Sequence, residues 1–132
     1  MPNGGFDGSI EDWQKMEAPL LEIDILLAEF ATERNMEVVR NYHNWPQRYL
    51  NWDSKGIHRS IQILAVDANK MTFHVSLIAW ADKNDQRYLT SGWLKKAVPW
   101  LNIKGNLHEL LEEGYRSLES WSEKDLKPTS SK

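Results

Sequence analysis

Four histidines, His43, His58, His74 and His108, are the side chains of this chain best suited to moving protons or binding metal near neutral pH. No two stand at the i, i+4 spacing by which a helix offers paired imidazoles to zinc, and no carboxylate recurs at a ligand interval. The chain has no cysteine, which removes thiol catalysis, thiolate zinc sites and disulfide scaffolds together. His74 and Ser76 have the residue types of a base and its nucleophile, but same-face neighbours on one strand lie too far apart for a direct hydrogen bond. No glycine loop that could cradle a phosphate is present, because Gly4, Gly5 and Gly8 precede the first periodic segment. No catalytic residue, metal or cofactor is therefore assigned, and a non-enzymatic role is expected.

Lys95, Lys96 and Lys104 near Trp93 and Trp100 form a small basic–aromatic spot of the kind that stacks single-stranded nucleic acid. Sixteen basic against nineteen acidic residues leave a net charge of -3. That balance gives no electrostatic reason to expect nucleic acid or an anionic membrane as partner. The segment from His43 to Tyr49 reads either as a rim loop holding His43 and Arg48 over a sheet or as a proline-bounded connector. What stands out instead is seven tryptophans in 132 residues. Large rings need elements to position them.

Two helices flank a block of strands. Ser9 is placed to cap the first helix, whose residues Leu20, Ile23, Leu27, Phe30 and Ala31 share one arc while Glu22, Glu29 and Glu33 share the opposite one. Pro19 should kink or break it. Asp24, at the border of the apolar arc, is expected to reach water. The last helix carries Leu107, Leu110, Leu111, Leu118 and Trp121 at helical spacing, with Asn106 and Glu109 as a capping pair. Between them, the alternation in residues 57–67 and 71–82 gives two half-buried strands joined by a short loop. Their phase sets Ile63 against Val75, Ile61 against Leu77 and His58 against Trp80.

Two outer hairpins extend this pair. A type I turn at Asp53–Gly56 with Gly56 in the left-handed position sets Trp52 opposite His58, Leu50 opposite Ser60 and Tyr49 opposite Ile61. A turn at 83–85 sets Trp80 opposite Tyr88 and Val75 opposite Trp93. The expectation is a two-layer α+β fold: an N-terminal helix, a four-stranded antiparallel meander with residues 36–41 as a fifth edge strand or a helix extension, and a C-terminal helix. Residues 9–123 form one domain between flexible ends at 1–8 and 124–132. No apolar run reaches the ~18 residues of a membrane span, and a cytoplasmic location is expected.

With both helices on one face, the other carries Leu50, Trp52, His58, His74, Ile78, Trp80 and Tyr88. Trp52, His58, Trp80 and Tyr88 would form a row across four strands. A contiguous aromatic patch of this kind marks an interaction surface, and Trp and Tyr dominate binding hot spots. The chain is expected to act as a binding or interaction domain, a homodimer through this face. The alternatives are a protein partner, or a small apolar or aromatic ligand in a pocket lined by Trp52, His58, Trp80 and Tyr88, either bound or turned over by simple acid–base chemistry.

Overall fold

The computed structural model describes residues 9–40 and 45–129. Helix α1 spans Ile10–Glu33, and strands β1 to β5 span Glu37–Arg40, Gln47–Ser54, Ile57–Asp67, Thr72–Lys83 and Gln86–Pro99. Helices α2 (Trp100–Lys104) and α3 (Leu107–Ser120) follow, then a 3-10 turn at Glu123–Asp125 and a two-residue strand β6, Lys127–Pro128. The strands lie in sequence order in one antiparallel sheet. The fold is α+β, and among the described residues the sheet has six strands rather than the four or five expected.

Helix α1 starts where Ser9 Oγ accepts from Asp12 N at 3.0 Å and runs through Pro19 as one element. It ends when Asn35 turns left-handed (φ 56°). Met36 N then bonds Ala31 O at 2.9 Å and Asn35 N bonds Thr32 O at 3.5 Å, which closes the last turn as a Schellman motif. Helix α3 lies close on β3 and β4 because Gly114 has no side chain: a Cβ there would stand 3.2 Å from Leu77 and 3.3 Å from Ile61. Its Asn106 does not make the expected capping bond; its amide instead reaches back to Asn102 O.

Both helices cover the same sheet face. Arg48 of β2 reaches α1, while Ile61, the cross-strand partner of Leu50, and then Leu77 lie beneath α3. Met16, Leu20, Ile23 and Leu27 of α1 and Leu110, Leu111 and Leu118 of α3 complete that core. Two arginines are buried in it. The Arg48 guanidinium is fully enclosed, with Nε 2.7 Å from Asp24 Oδ1 and Nη2 2.8 Å from Glu17 Oε2. Burial alone would lower the pKa of Arg48, but Asp24 and Glu17 hold it above the usual value. Asp24 thus anchors a buried cation rather than simply reaching water. Arg59 donates to Leu118 O, Trp121 O and Ser54 O, satisfying carbonyls at the end of α3.

The central hairpin has the expected register, with Ile63 against Val75, Ile61 against Leu77 and His58 against Trp80. The two outer hairpins are each shifted by one residue. Trp52 pairs Arg59, Leu50 pairs Ile61, and Tyr49 pairs Gln62. Tyr88 pairs Ala81, Leu89 pairs Trp80, and Trp93 pairs Ser76. The cause is turn chemistry. Both loops have two residues, each with positive φ: Lys55 at 58° and Gly56 at 78°, then Asn84 at 53° and Asp85 at 62°. These are the primed turns whose twist matches that of paired strands, and they close one residue earlier than a longer loop. Because side chains alternate with period two, this slip turns each outer strand over.

Beyond residue 123, where a flexible tail was expected, the chain stays on the domain through Thr129. Leu126 is buried, β6 pairs with β5, and Thr129 N bonds Arg87 O at 2.9 Å. The expectation for residues 1–8 lies outside the described residues, as does His43. No described helix is long and apolar enough to cross a membrane.

Candidate interaction surface

The sheet face away from the helices is built from cross-strand rows. One row runs Val39, Tyr49, Gln62, Ser76 and Trp93, the next Glu37, Asn51, Ser60, Ile78 and Ser91, and the third Asp53, His58, Trp80 and Leu89. Leu64 and His74 pair beyond the first row. Of the expected site residues, His58, His74, Ile78 and Trp80 are on this face. Leu50, Trp52 and Tyr88 are on the opposite one.

Their environments there are core-like. Leu50 is buried, and the Trp52 ring stacks on Tyr115 of α3 at 5.3 Å. Trp52 Nε1 donates to Glu119 Oε2 at 2.8 Å, and Ser54 Oγ donates to Glu119 Oε1 at 3.0 Å. Burial would raise the Glu119 pKa, but these bonds and the charges of Arg59 and Lys55 hold it below the ordinary carboxylate value. Tyr88 packs at the edge of the core beside Ala81 and β6. A row of Trp52, His58, Trp80 and Tyr88 therefore does not form, and neither does a pocket lined by those four.

The face keeps its aromatic character by exchange. Tyr49 and Trp93, expected opposite Ile61 and Val75 and so beneath the helices, occupy it instead together with Leu89, and Trp93 is 53 % exposed. At one end, the rings of His58 and Trp80 lie 5.3 Å apart, and Arg87 sits over Trp80 at 5.7 Å while its Nε bonds Asp82 Oδ1 at 2.9 Å. Asp53 Oδ1 and His58 Nδ1 stand 2.6 Å apart, a contact that orients the ring and turns Nε2 outward.

At the other end, His74 stacks on Trp93 at 4.4 Å, and Lys96 Nζ lies 5.7 Å from the Trp93 ring centre. Ala97 N donates to His74 Nδ1 at 2.8 Å, which requires that nitrogen to be unprotonated. Desolvation, with the charge of Lys96 added, holds the His74 pKa below its usual value. Between the two ends, Ser76 Oγ donates to Gln62 Oε1 at 3.4 Å and Gln62 Nε2 donates to Ser60 Oγ at 3.3 Å. A shallow depression of about 390 Å³ lies there, lined by Gln62, Leu64, Ser76, Ile78, Ser91 and Trp93.

The surface can bury rings and aliphatic groups around a polar strip. It holds no metal set: among the described residues no group of three or more histidines and carboxylates is placed to bind one. The signal that could have found the true face is in β2 itself. Leu50 and Trp52 alternate with Asn51 and Asp53, which puts the apolar pair inward whatever the turn does. No family model, curated protein or solved structure matches this chain.

Proposed function

We propose that this chain is a non-catalytic binding domain that works through the open face of its sheet by pairing with the same face of a second copy. The observation that carries the reading is Trp93. Half-exposed and stacked on His74, it stands in one continuous field with Tyr49, Ile78, Trp80 and Leu89. A sheet face is suited to a two-fold contact, because the same patch serves both partners. Trp, Tyr and Arg are the anchors such contacts use, and Arg87 and Trp80 supply one beside the field.

A second reading rests on the depression beside Trp93. Gln62 and Ser76 could orient a small heteroaromatic ligand lying against the indole. Sedimentation separates the two. The dimer reading expects a two-subunit mass that falls to one subunit in Trp93→Asp and Trp80→Asp, both with unchanged circular dichroism. A wild-type protein that stays monomeric at high micromolar concentration would sink it. The ligand reading would then rest on whether heteroaromatic compounds quench tryptophan fluorescence in the wild type but not in Gln62→Leu.

A further inference from the structure

Strand β5 bulges at the Trp93 end of the open face. The pairs Phe73–Val98, Val75–Lys95 and Ser76–Trp93 slip by one residue at each step, so β5 carries two extra residues here. Between the first two pairs, His74 alone faces both Lys96 and Ala97, the arrangement of a β-bulge. Ala97 takes φ 52°, a left-handed conformation that strains any residue with a Cβ. Its N–H donates to His74 Nδ1 at 2.8 Å. The imidazole thus stands where a backbone carbonyl would otherwise accept, and the same ring stacks on Trp93 at 4.4 Å.

That bond exists only while Nδ1 is unprotonated. A proton there sets one N–H against another, and the two groups must part. Among the described residues, the charge acting on His74 is that of Lys96 on β5, which adds to desolvation in disfavouring the imidazolium. Lys96 Nζ already lies 5.7 Å from the Trp93 ring centre, so a charged His74 meets a second cation at that indole. From β3, His74 faces Leu64, and Asp67 at that end of the strand accepts from Asn69 N and Lys70 N. Lys95 lines a groove with Asn102 and Glu109 on the helix side. The face's other imidazole, His58, stands at the opposite end beside Asp53. Parting therefore moves either the His74 ring off Trp93 or the bulge next to it. Both routes disturb the indole that anchors the open face.

We propose that His74 is a proton switch for this face, an inference that rests on the two-copy pairing proposed above. Uncharged, His74 holds the bulge and Trp93 in the form that pairs; charged, it releases both, and the dimer separates. Pairing buries the ring further, which again disfavours its charge. Protons are thus taken up on separation, and acid favours the single subunit. The response belongs below pH 6.5, because His74 holds its proton less readily than a free imidazole. With one His74 per subunit, two protons enter per dimer, and the dissociation constant should rise by up to about a hundredfold per pH unit.

Sedimentation equilibrium between about pH 7.5 and about pH 5 tests this, with circular dichroism followed alongside to show that the subunit stays folded. The wild-type dissociation constant should rise about tenfold or more over that range. His74→Asn offers Oδ1 in place of Nδ1 and does not titrate, so its dimer should ignore pH. Lys96→Met removes the neighbouring charge, so its dissociation should begin at higher pH than in the wild type. By NMR, the Ala97 amide should shift with pH on the same curve as the His74 ring. A wild type that is monomeric at neutral pH sinks the pairing and the switch with it. A dimer that persists unchanged in acid keeps the pairing and overturns the switch. Acid dissociation that survives in His74→Asn also overturns it, passing the role to His58 or another group. Should His74→Asn fail to fold, a Lys96→Met curve that matches the wild type, or an Ala97 amide that ignores pH, overturns it equally.

Discussion

At the scale of single residues, Arg48 and Arg59 are buried at positions whose inward phase the alternation announces but whose partners it does not. Arg59 alternates in phase with Ile57 and Ile61, so the position is inward, but the sequence gives no hint of which carbonyls would receive a guanidinium. Those carbonyls belong to residues 59 and 62 positions further along the chain. Arg59→Met fills the space and leaves them unsatisfied, which should lower the unfolding free energy in urea by about 3 kcal/mol. His74 makes a different prediction. Its native pKa lies below the ordinary 6.5 because burial and Lys96 disfavour its charged form, so the unfolded chain takes up the proton more readily. Stability from His74 is therefore complete above pH 6.5 and is lost as pH falls through 6.5 toward the native value. Urea midpoints measured on both sides of pH 6.5 should show this loss in the wild type, and it should be absent in His74→Phe.

At the scale of elements, the helices and the central hairpin were legible, and the outer hairpins were legible only as strands. Residues 57–67 and 72–83 give eleven and twelve positions of alternation on which to fix phase, and the loop between them is held by Asp67 accepting from Asn69 N and Lys70 N. The register of β2 and β5 depends instead on a backbone choice in two residues. Lys55 at φ 58° is the unexpected one, because an L-residue pays a steric penalty there that glycine, asparagine and aspartate largely avoid. Asn84 and Asp85 suit their turn by composition; Lys55 does not. Lys55→Asn should therefore raise stability by about 0.5–1 kcal/mol, with little lost from the exposed 4.0 Å contact of Lys55 with Glu119. Gly56→Ala, at φ 78° with open space around it, should lower stability by about 1 kcal/mol through backbone strain alone. Thermal melts of the two variants, moving in opposite directions, would establish the two-residue turn; equal melts would return the longer loop and its register.

At the scale of the whole molecule, one sheet separates two surfaces, and a tryptophan's consequence depends on which side its strand turns it. Trp52 and Trp80 are both strand residues that the sequence reading sets beside His58, yet Trp52 stacks on Tyr115 and bonds Glu119 while Trp80 stacks on His58 on the open face. The same substitution should thus act on different properties. Trp52→Asp puts a carboxylate beside Glu119 in the core and empties a large volume, a loss of about 4 kcal/mol or more that should leave the chain largely unfolded. Trp80→Asp removes an open-face ring and should leave the unfolding free energy of the single subunit within about 1 kcal/mol of the wild type. Measured at concentrations low enough to hold the protein monomeric, the two denaturation curves test the slipped register directly. If both variants unfolded alike, Trp80 would be core and the open face would lose the ring at its His58 end. If neither did, Trp52 would belong to the open row, and the pairing of Leu50 with Ile61 beneath α3 would have to be wrong.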